Sequence, residues 1–185
     1  MILRTLESRR MTLVSATVAL LEADLSGHAQ LADLIGARVP HGWPPDLYER
    51  TAMKFALQLL QDPEEQGWSF WYLLTQAPQE AEVLGICGFK GRPGEAHSVE
   101  ISYSILSQFR NQGYASEAVS RLVLWAFSHQ NIKEVTAETL PHLLQSIGVL
   151  EKNGFIRTGP GSEHGVVRYA VQRPDRRCQT QAPTY

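Results

Sequence analysis

The chain reads as a mixed α/β domain whose elements run β, α, α, β, β, β, α, β, α, β. Three observations lead there. Short runs rich in Val, Ile, Leu and aromatic residues recur between turn-forming clusters. One long segment, residues 112–129, carries Ala115, Ala118, Val119, Leu122, Val123, Ala126 and Phe127 at helical period. No internal repeat or low-complexity block breaks the succession. With 185 residues, 43% of them hydrophobic, the chain is long enough to close one hydrophobic core and has the composition of a soluble globular protein.

Residues 1–11 are expected as a loose leader. Arg4, Arg9 and Arg10 precede an apolar run that starts at Met11, an order that mimics a secretory signal. That run carries Thr12, Ser15 and Thr17, is too short to span a bilayer, and passes into Glu22 and Asp24 without a small-residue cleavage site. Residues 13–23 therefore read as the first strand of a single domain over 12–173. Residues 24–37 follow with helical spacing at Leu25, Ala29, Ala32 and Ile35, and Gly36 ends them. Residues 39–45 hold Pro40, Pro44 and Pro45 and are a loop, because proline lacks the amide and restricts the residue before it. Residues 46–60 form the next helix, stopped by Asp62 and Pro63.

Three strands are expected at 68–75, 83–90 and 98–106, joined by hairpin loops at 76–80 and 91–95. After the strong helix come a strand at 135–140, a helix at 145–153 ended by Gly154, and a strand at 166–171. From 174 to 185 the chain turns polar and reads as a mobile tail.

A formal net charge of −2 supplies no basic field for nucleic acid or an anionic membrane. Arg173, Arg176 and Arg177 form only a short basic stretch with no aromatic platform beside it. Neither kind of partner is expected. Cys87 and Cys178 are the two cysteines, too few for a disulfide framework or a zinc cluster. No metal site is expected, and a cytoplasmic setting fits.

The chemistry concentrates between Glu100 and Ala118, where the third hairpin strand meets the strongest helix. Arg110-Asn111-Gln112-Gly113-Tyr114-Ala115 forms the junction. A helix N-terminus leaves backbone N–H groups unpaired and carries partial positive charge, so a glycine turn entering it can cradle a pyrophosphate. Arg110 adds a cation able to fork onto phosphate oxygens.

Arg110, Gly113 and Ala115 match the [Arg/Gln]-x-x-Gly-x-[Gly/Ala] turn, and the segment resembles motif A of the GNAT superfamily of N-acetyltransferases. The flanks Glu100-Ile101-Ser102-Tyr103 and Gly113-Tyr114-Ala115-Ser116-Glu117-Ala118 are most similar to the ribosomal-protein N-terminal (alanine/serine) branch. A second block, from Ser146 to Phe155, resembles the family's Ser-x-x-Val-Leu-Glu-Lys-x-Gly-Phe segment. The resemblance implies the GNAT fold, with a mixed central sheet of six or seven strands, helices on both faces, and two parallel central strands, 98–106 and 135–140, that splay apart.

It also implies an acetyl-CoA-dependent acyltransferase that passes an acetyl group to a primary amine, on a peptide N-terminus or a small molecule, by direct attack in a ternary complex. The cofactor would lie on Ile105, Leu106, Arg110, Asn111, Gln112, Gly113, Tyr114, Ala115, Ser116 and Ser146. Glu100 and Glu138 are the candidate general bases, and Ser146 would donate to the CoA sulfur. A backbone N–H near Ile105 or Leu106 would stabilise the oxyanion. A homodimer is compatible with the family.

Several positions depart from the pattern. Ser107 stands where Pro is common and Asn111 where Gly is common. Leu143 replaces an Asn that often contacts pantetheine, and Leu150 replaces a Tyr that serves some members as general acid. These two leucines support an alternative, a non-catalytic acyl-CoA sensor or assembly module. His142 and His164 are further proton-transfer candidates outside the catalytic set. Lys152 and Asn153 reach toward the cofactor or face solvent, and Trp43 with His41 walls the acceptor pocket or packs in the core.

Overall fold

A computed structural model describes residues 3–76 and 80–174. Its strands are β1 (Thr5–Glu7), β2 (Met11–Ser15), β3 (Phe70–Thr75), β4 (Val83–Phe89), β5 (Ser98–Ile105), β6 (Glu134–Thr139), β7 (Ile156–Pro160) and β8 (Val167–Gln172). The helices are α1 (Val18–Ser26), α2 (His28–Ile35), α3 (Arg50–Leu59), α4 (Tyr114–Ser128) and α5 (Leu144–Lys152). The strands form one eight-stranded sheet in the order β1-β2-β3-β4-β5-β6-β8-β7. Its neighbours are antiparallel except β5 and β6.

The first half differs most from expectation. The apolar run of residues 13–23 is not one strand. Thr17 is extended at φ −128 and accepts a hydrogen bond from Leu20 N, so it caps a helix that begins at Val18. Ala, Leu and Glu then favour helix over strand, a choice that apolar content alone does not make. Gly27 separates α1 from α2, and Gly36 ends α2 in the left-handed conformation, its N–H donating to Ala32 O.

Helix α3 starts at Arg50 rather than at 46, because the preceding turn is drawn toward β5. Ser104 Oγ donates to Asp46 O at 2.6 Å, and Leu47 takes a φ of 65°. Within the segment expected as a loose leader, Thr5–Glu7 forms β1 and pairs with β2. The strand β7 was also absent from the expected order. It carries Gly159 and Pro160 at the sheet edge and is mostly exposed, so it has no inward-facing apolar alternation to reveal it. Two more strands than the inferred six result.

Strand alternation splits the core between the two faces of the sheet. Leu13, Trp71, Leu73, Leu84, Val99, Ile101 and Ile105 pack with Val119, Leu122 and Leu150 from α4 and α5. Val14, Phe70, Tyr72, Leu74 and Ile86 pack on the other face with Leu20, Leu31 and Met53 from α1–α3. Among the described residues no helix is long and apolar enough to cross a membrane.

Arg173, the last residue of the expected domain and the first of the short basic stretch, is part of the fold. Its guanidinium donates to Ile132 O at 2.6 Å and to the carbonyls of Phe127 and His129, where α4 ends. It satisfies acceptors that a helix C-terminus leaves unpaired. Residues 175–185, the rest of the expected tail, lie outside the described residues. Arg173→Ala is expected to destabilise the chain by about 2 kcal/mol, since hydrogen bonds to a charged group are each worth that order. A urea melt would check this, and an unchanged midpoint would refute the capping role.

Candidate active site

β5 and β6 pair only over Ser98–Glu134, Val99–Val135 and Glu100–Thr136. Beyond Glu100 the two strands part, as expected, and a gap opens toward their C-terminal ends. Lys90 N donates to Glu100 O and Leu106 N donates to Leu84 O. These two bonds set the alternation of the β4–β5 ladder. The backbone groups of residues 100, 102, 104 and 106 point to β4, whereas those of Ile101, Tyr103 and Ile105 point toward β6; the Glu100–Thr136 pairing uses the Ile101 N–H, so the open edge begins at Ile101 O and continues through Tyr103 and the Ile105 N–H. One edge of β5 is therefore an unpaired strand edge lining a cleft. Of the two expected oxyanion donors, Leu106 N–H is spent on the sheet and Ile105 N–H faces the gap.

The chain leaves β5 through a short 3-10 turn, Ser107–Phe109, and enters α4 at Gly113. Asn111 has φ 61° and Gly113 φ 83°. Asn is the residue other than Gly that tolerates this region best, which accounts for Asn111 where Gly is common. Gly113 has no side-chain capping bond, so the first-turn amides of Tyr114, Ala115 and Ser116 have no partner within the helix and remain available to an anion.

Arg110 is placed differently from expectation. Its Nε donates to Ile105 O at 2.9 Å and its Nη2 to Asp46 Oδ2 at 2.6 Å. Rather than presenting a free fork to phosphate, the guanidinium ties the turn to the loop over residues 39–49. Gln112 Nε2 bonds Gln108 O at 3.1 Å and braces the same turn.

Arg10 is the cation beside the helix entry. It donates from its backbone N to Glu117 Oε1 at 2.8 Å, from Nε to Glu117 Oε2 at 2.9 Å, and from Nη1 to Gln112 O at 2.9 Å. Its guanidinium lies 4.6 Å from the centre of the Tyr114 ring. The sequence held no local signal for this residue, which is separated from Glu117 by 107 positions.

Glu100 and Glu138 point to the face opposite α4 and α5, since Val99, Ile101, Val135 and Ala137 fill the α4/α5 core. Glu100 sits at the last paired position of β5 and forms an ion pair with Lys90. Glu138 is committed elsewhere. Its carboxylate accepts from Ser162 N at 3.0 and 3.1 Å, from Ser162 Oγ at 2.6 Å, and from Arg168 Nη2 at 2.8 Å. The Ser162 hydroxyl, with Arg168 behind it, pulls its pKa from 4.5 to about 2.

Ser146 lies in the first turn of α5, across the gap from β5. Tyr103 OH donates to Ser146 O at 3.0 Å and lies 3.1 Å from Ser146 Oγ. Leu150, one helical turn on, is fully buried in the core, and Leu143 is partly exposed at the helix start. Asn153 Nδ2 donates to Ser116 O and Val149 O, so it joins α5 to α4. His41, His142, Lys152 and His164 are exposed.

Trp43 belongs to the core. Its Nε1 donates to Asp24 Oδ1 at 2.8 Å, and Tyr72 OH donates to Asp24 Oδ2 at 3.0 Å. Burial raises the Asp24 pKa, with the two hydrogen bonds opposing that shift. This buried cluster anchors the 39–49 loop to α1 and β3.

Comparison with known proteins agrees with this geometry. Residues 19–156 match the family model described as an acetyltransferase (GNAT) domain. The chain is 28% identical over 159 residues to the uncharacterized N-acetyltransferase YjdG of Bacillus subtilis (strain 168), covering 86% of this chain and 94% of that one. It is 26% identical over 109 residues to the [ribosomal protein uS5]-alanine N-acetyltransferase of Escherichia coli (strain K12), covering 58% of this chain and 56% of that one. Among solved structures, RimL, a ribosomal L7/L12 alpha-N-protein acetyltransferase, superposes with a TM-score of 0.66 at 18% identity, covering 94% of this chain and 96% of its own. The chain belongs to the GNAT acetyltransferase family.

Proposed function

We propose that this acetyltransferase moves the acetyl group of acetyl-CoA to a primary amine, on a peptide N-terminus or a small molecule, by direct attack in a ternary complex in the cytoplasm. The observation that carries the reading is the continuity of the unpaired edge of β5 with the uncapped N-terminus of α4. Pantetheine is an extended chain with two amide groups, so it can pair with Ile101 O, the backbone of Tyr103 and the Ile105 N–H as an added strand does. Its pyrophosphate then meets the amides of the turn and of Tyr114, Ala115 and Ser116. Arg110 holds that turn in place instead of binding the phosphates itself.

The thioester would lie in the gap, with Ile105 N–H as the donor to its carbonyl oxygen as negative charge develops there. An acceptor ammonium, with a pKa of about 8 on a peptide N-terminus or about 10 on an alkyl amine, must lose a proton before it attacks. Glu100 fits that role better than Glu138. It stands at the apex of the gap on the face beneath the 39–49 loop, whereas Glu138 is held by Ser162 and Arg168 as a weak base. The similarity to a ribosomal-protein alanine acetyltransferase supports a peptide N-terminus as one acceptor class.

Thiol release from acetyl-CoA, measured against peptide N-termini, polyamines, amino acids and aminoglycosides, is expected to show turnover with at least one class. Calorimetry run alongside separates the alternatives. Tight acetyl-CoA binding with no turnover would support a sensor, and absence of binding would refute the reading. Glu100→Gln is expected to lower kcat about 100-fold with acetyl-CoA affinity kept, the range of a lost general base; an unchanged kcat would remove Glu100 from the mechanism.

Glu138→Gln is expected to show itself in stability. A carboxyl whose folded pKa is depressed stabilises the fold above its unfolded pKa and loses that contribution as pH falls through the folded one. The window runs from 4.5 down to about 2. Acid unfolding of the native chain should steepen across that window and Glu138→Gln should flatten it. Matching acid limbs would show that the Ser162–Arg168 contacts carry no net stability.

A further inference from the structure

We propose that Tyr103 is a positioning residue for the leaving sulfur, holding the Ser146 hydroxyl so that one O–H of the pair is available to the thiolate. The inference rests on the reading of the β5–β6 gap as the acyl-transfer cleft. Tyr103 lies in the part of β5 that β6 no longer pairs, and its ring packs against the α4/α5 core. Its hydroxyl crosses to the first turn of α5, 3.0 Å from Ser146 O and 3.1 Å from Ser146 Oγ. A phenylalanine would fill the same volume, so packing alone does not call for the hydroxyl.

Counting donors shows what the pair can do. Two hydroxyls carry two O–H groups. With no ligand charge nearby, the tyrosine donates to Ser146 O and the serine to the tyrosine oxygen, and both protons are used. If the tyrosine donates to Ser146 Oγ instead, the serine O–H is free to point into the gap. The rearrangement gives up one neutral hydrogen bond. A thiolate offers a charge-assisted one in return, roughly twice as strong. The pair is therefore satisfied without ligand and becomes a donor as charge builds on sulfur.

In the transfer step the amine lone pair forms the C–N bond, and the C–S bond breaks with its electrons going to sulfur. The amine proton leaves by way of Glu100 and water. The Ser146 O–H bonds to the thiolate, and the phenol keeps its proton. Burial pushes the Tyr103 pKa up to about 12, against a thiol reference near 8.5, so proton transfer from tyrosine to sulfur is uphill. Cys87, opposite Tyr103 on β4, is buried and its pKa is raised, so it stays neutral. Glu100 lies on the other face of β5.

The test is the ionisation of CoA's own thiol on the enzyme, followed by ultraviolet thiolate absorbance against pH. In the native chain the bound thiol should release its proton about tenfold more readily than in Tyr103→Phe or Ser146→Ala, one pKa unit being a tenfold change. Tyr103→Phe should lower kcat about 10- to 100-fold at unchanged acetyl-CoA affinity and a similar thermal midpoint. The double variant should be no slower than Ser146→Ala, because residues that act as a unit are not additive. Identical thiol titrations in native chain and Tyr103→Phe, or losses that multiply in the double variant, would overturn the proposal while leaving acetyl transfer standing. A native chain that binds neither CoA nor acetyl-CoA would overturn both.

Discussion

The structure turns on the parting of β5 from β6 after three paired residues. A strand in the middle of a sheet normally has both edges paired, because unpaired buried amides and carbonyls are costly. Here Ile101 O, the backbone of Tyr103 and the Ile105 N–H keep one edge open inside an otherwise continuous sheet of eight strands. Such an edge persists only where something else satisfies it, and an extended ligand with its own amides is suited to that. The turn that follows gives the open edge its direction, because Asn111 and Gly113 adopt left-handed conformations that carry the chain from strand to helix within a few residues.

Around this opening the fold spends its long-range polar contacts on holding loops rather than on reaching the ligand. Arg110 secures Asp46 and Ile105 O, Ser104 secures Asp46 O, and Arg10 secures Glu117 and Gln112 O. The buried Asp24, bonded by Trp43 and Tyr72, fixes the far end of the 39–49 loop. An exposed ion pair such as Arg110–Asp46 contributes little stability by itself. Its effect is geometric, since the same guanidinium also holds the last residue of β5.

What was legible in the sequence was local. The apolar stripe of α4, the turn before it and the end of α5 at Gly154 each rest on spacing within about 20 residues, and each stands where expected to within two residues or so. The start of the chain was not legible. An apolar run bounded by charge serves as strand or helix equally well, and Thr17 as a cap is what divides Met11–Ser15 from Val18–Ser26. The site contacts that most change its reading, Arg10–Glu117, Asp46–Arg110, Tyr103–Ser146 and Glu138–Arg168, join residues 107, 64, 43 and 30 positions apart. No periodicity reports such pairs. The last of them commits the Glu138 carboxylate to structure.

The alternation of β5 assigns opposite tasks to its two faces. Glu100, Ser102 and Ser104 face the side of the 39–49 loop, where an amine can approach, and Tyr103 reaches the α5 side, where a leaving sulfur can be met. This division explains why Leu150 need not disable the site. Once the attacking nitrogen has lost its proton it could leave only as an amide anion, whereas sulfur leaves as a thiolate whose thiol has a reference pKa of about 8.5, so collapse toward the amide requires stabilisation of sulfur rather than a strong acid. A hydroxyl pair spanning strand and helix can supply that stabilisation, and the helix is free to use position 150 for the core. On the proposal made for Tyr103, a tyrosine on the strand and a leucine on the helix would together do what a single helical tyrosine would have to do alone: fill the core and leave one O–H at the cleft.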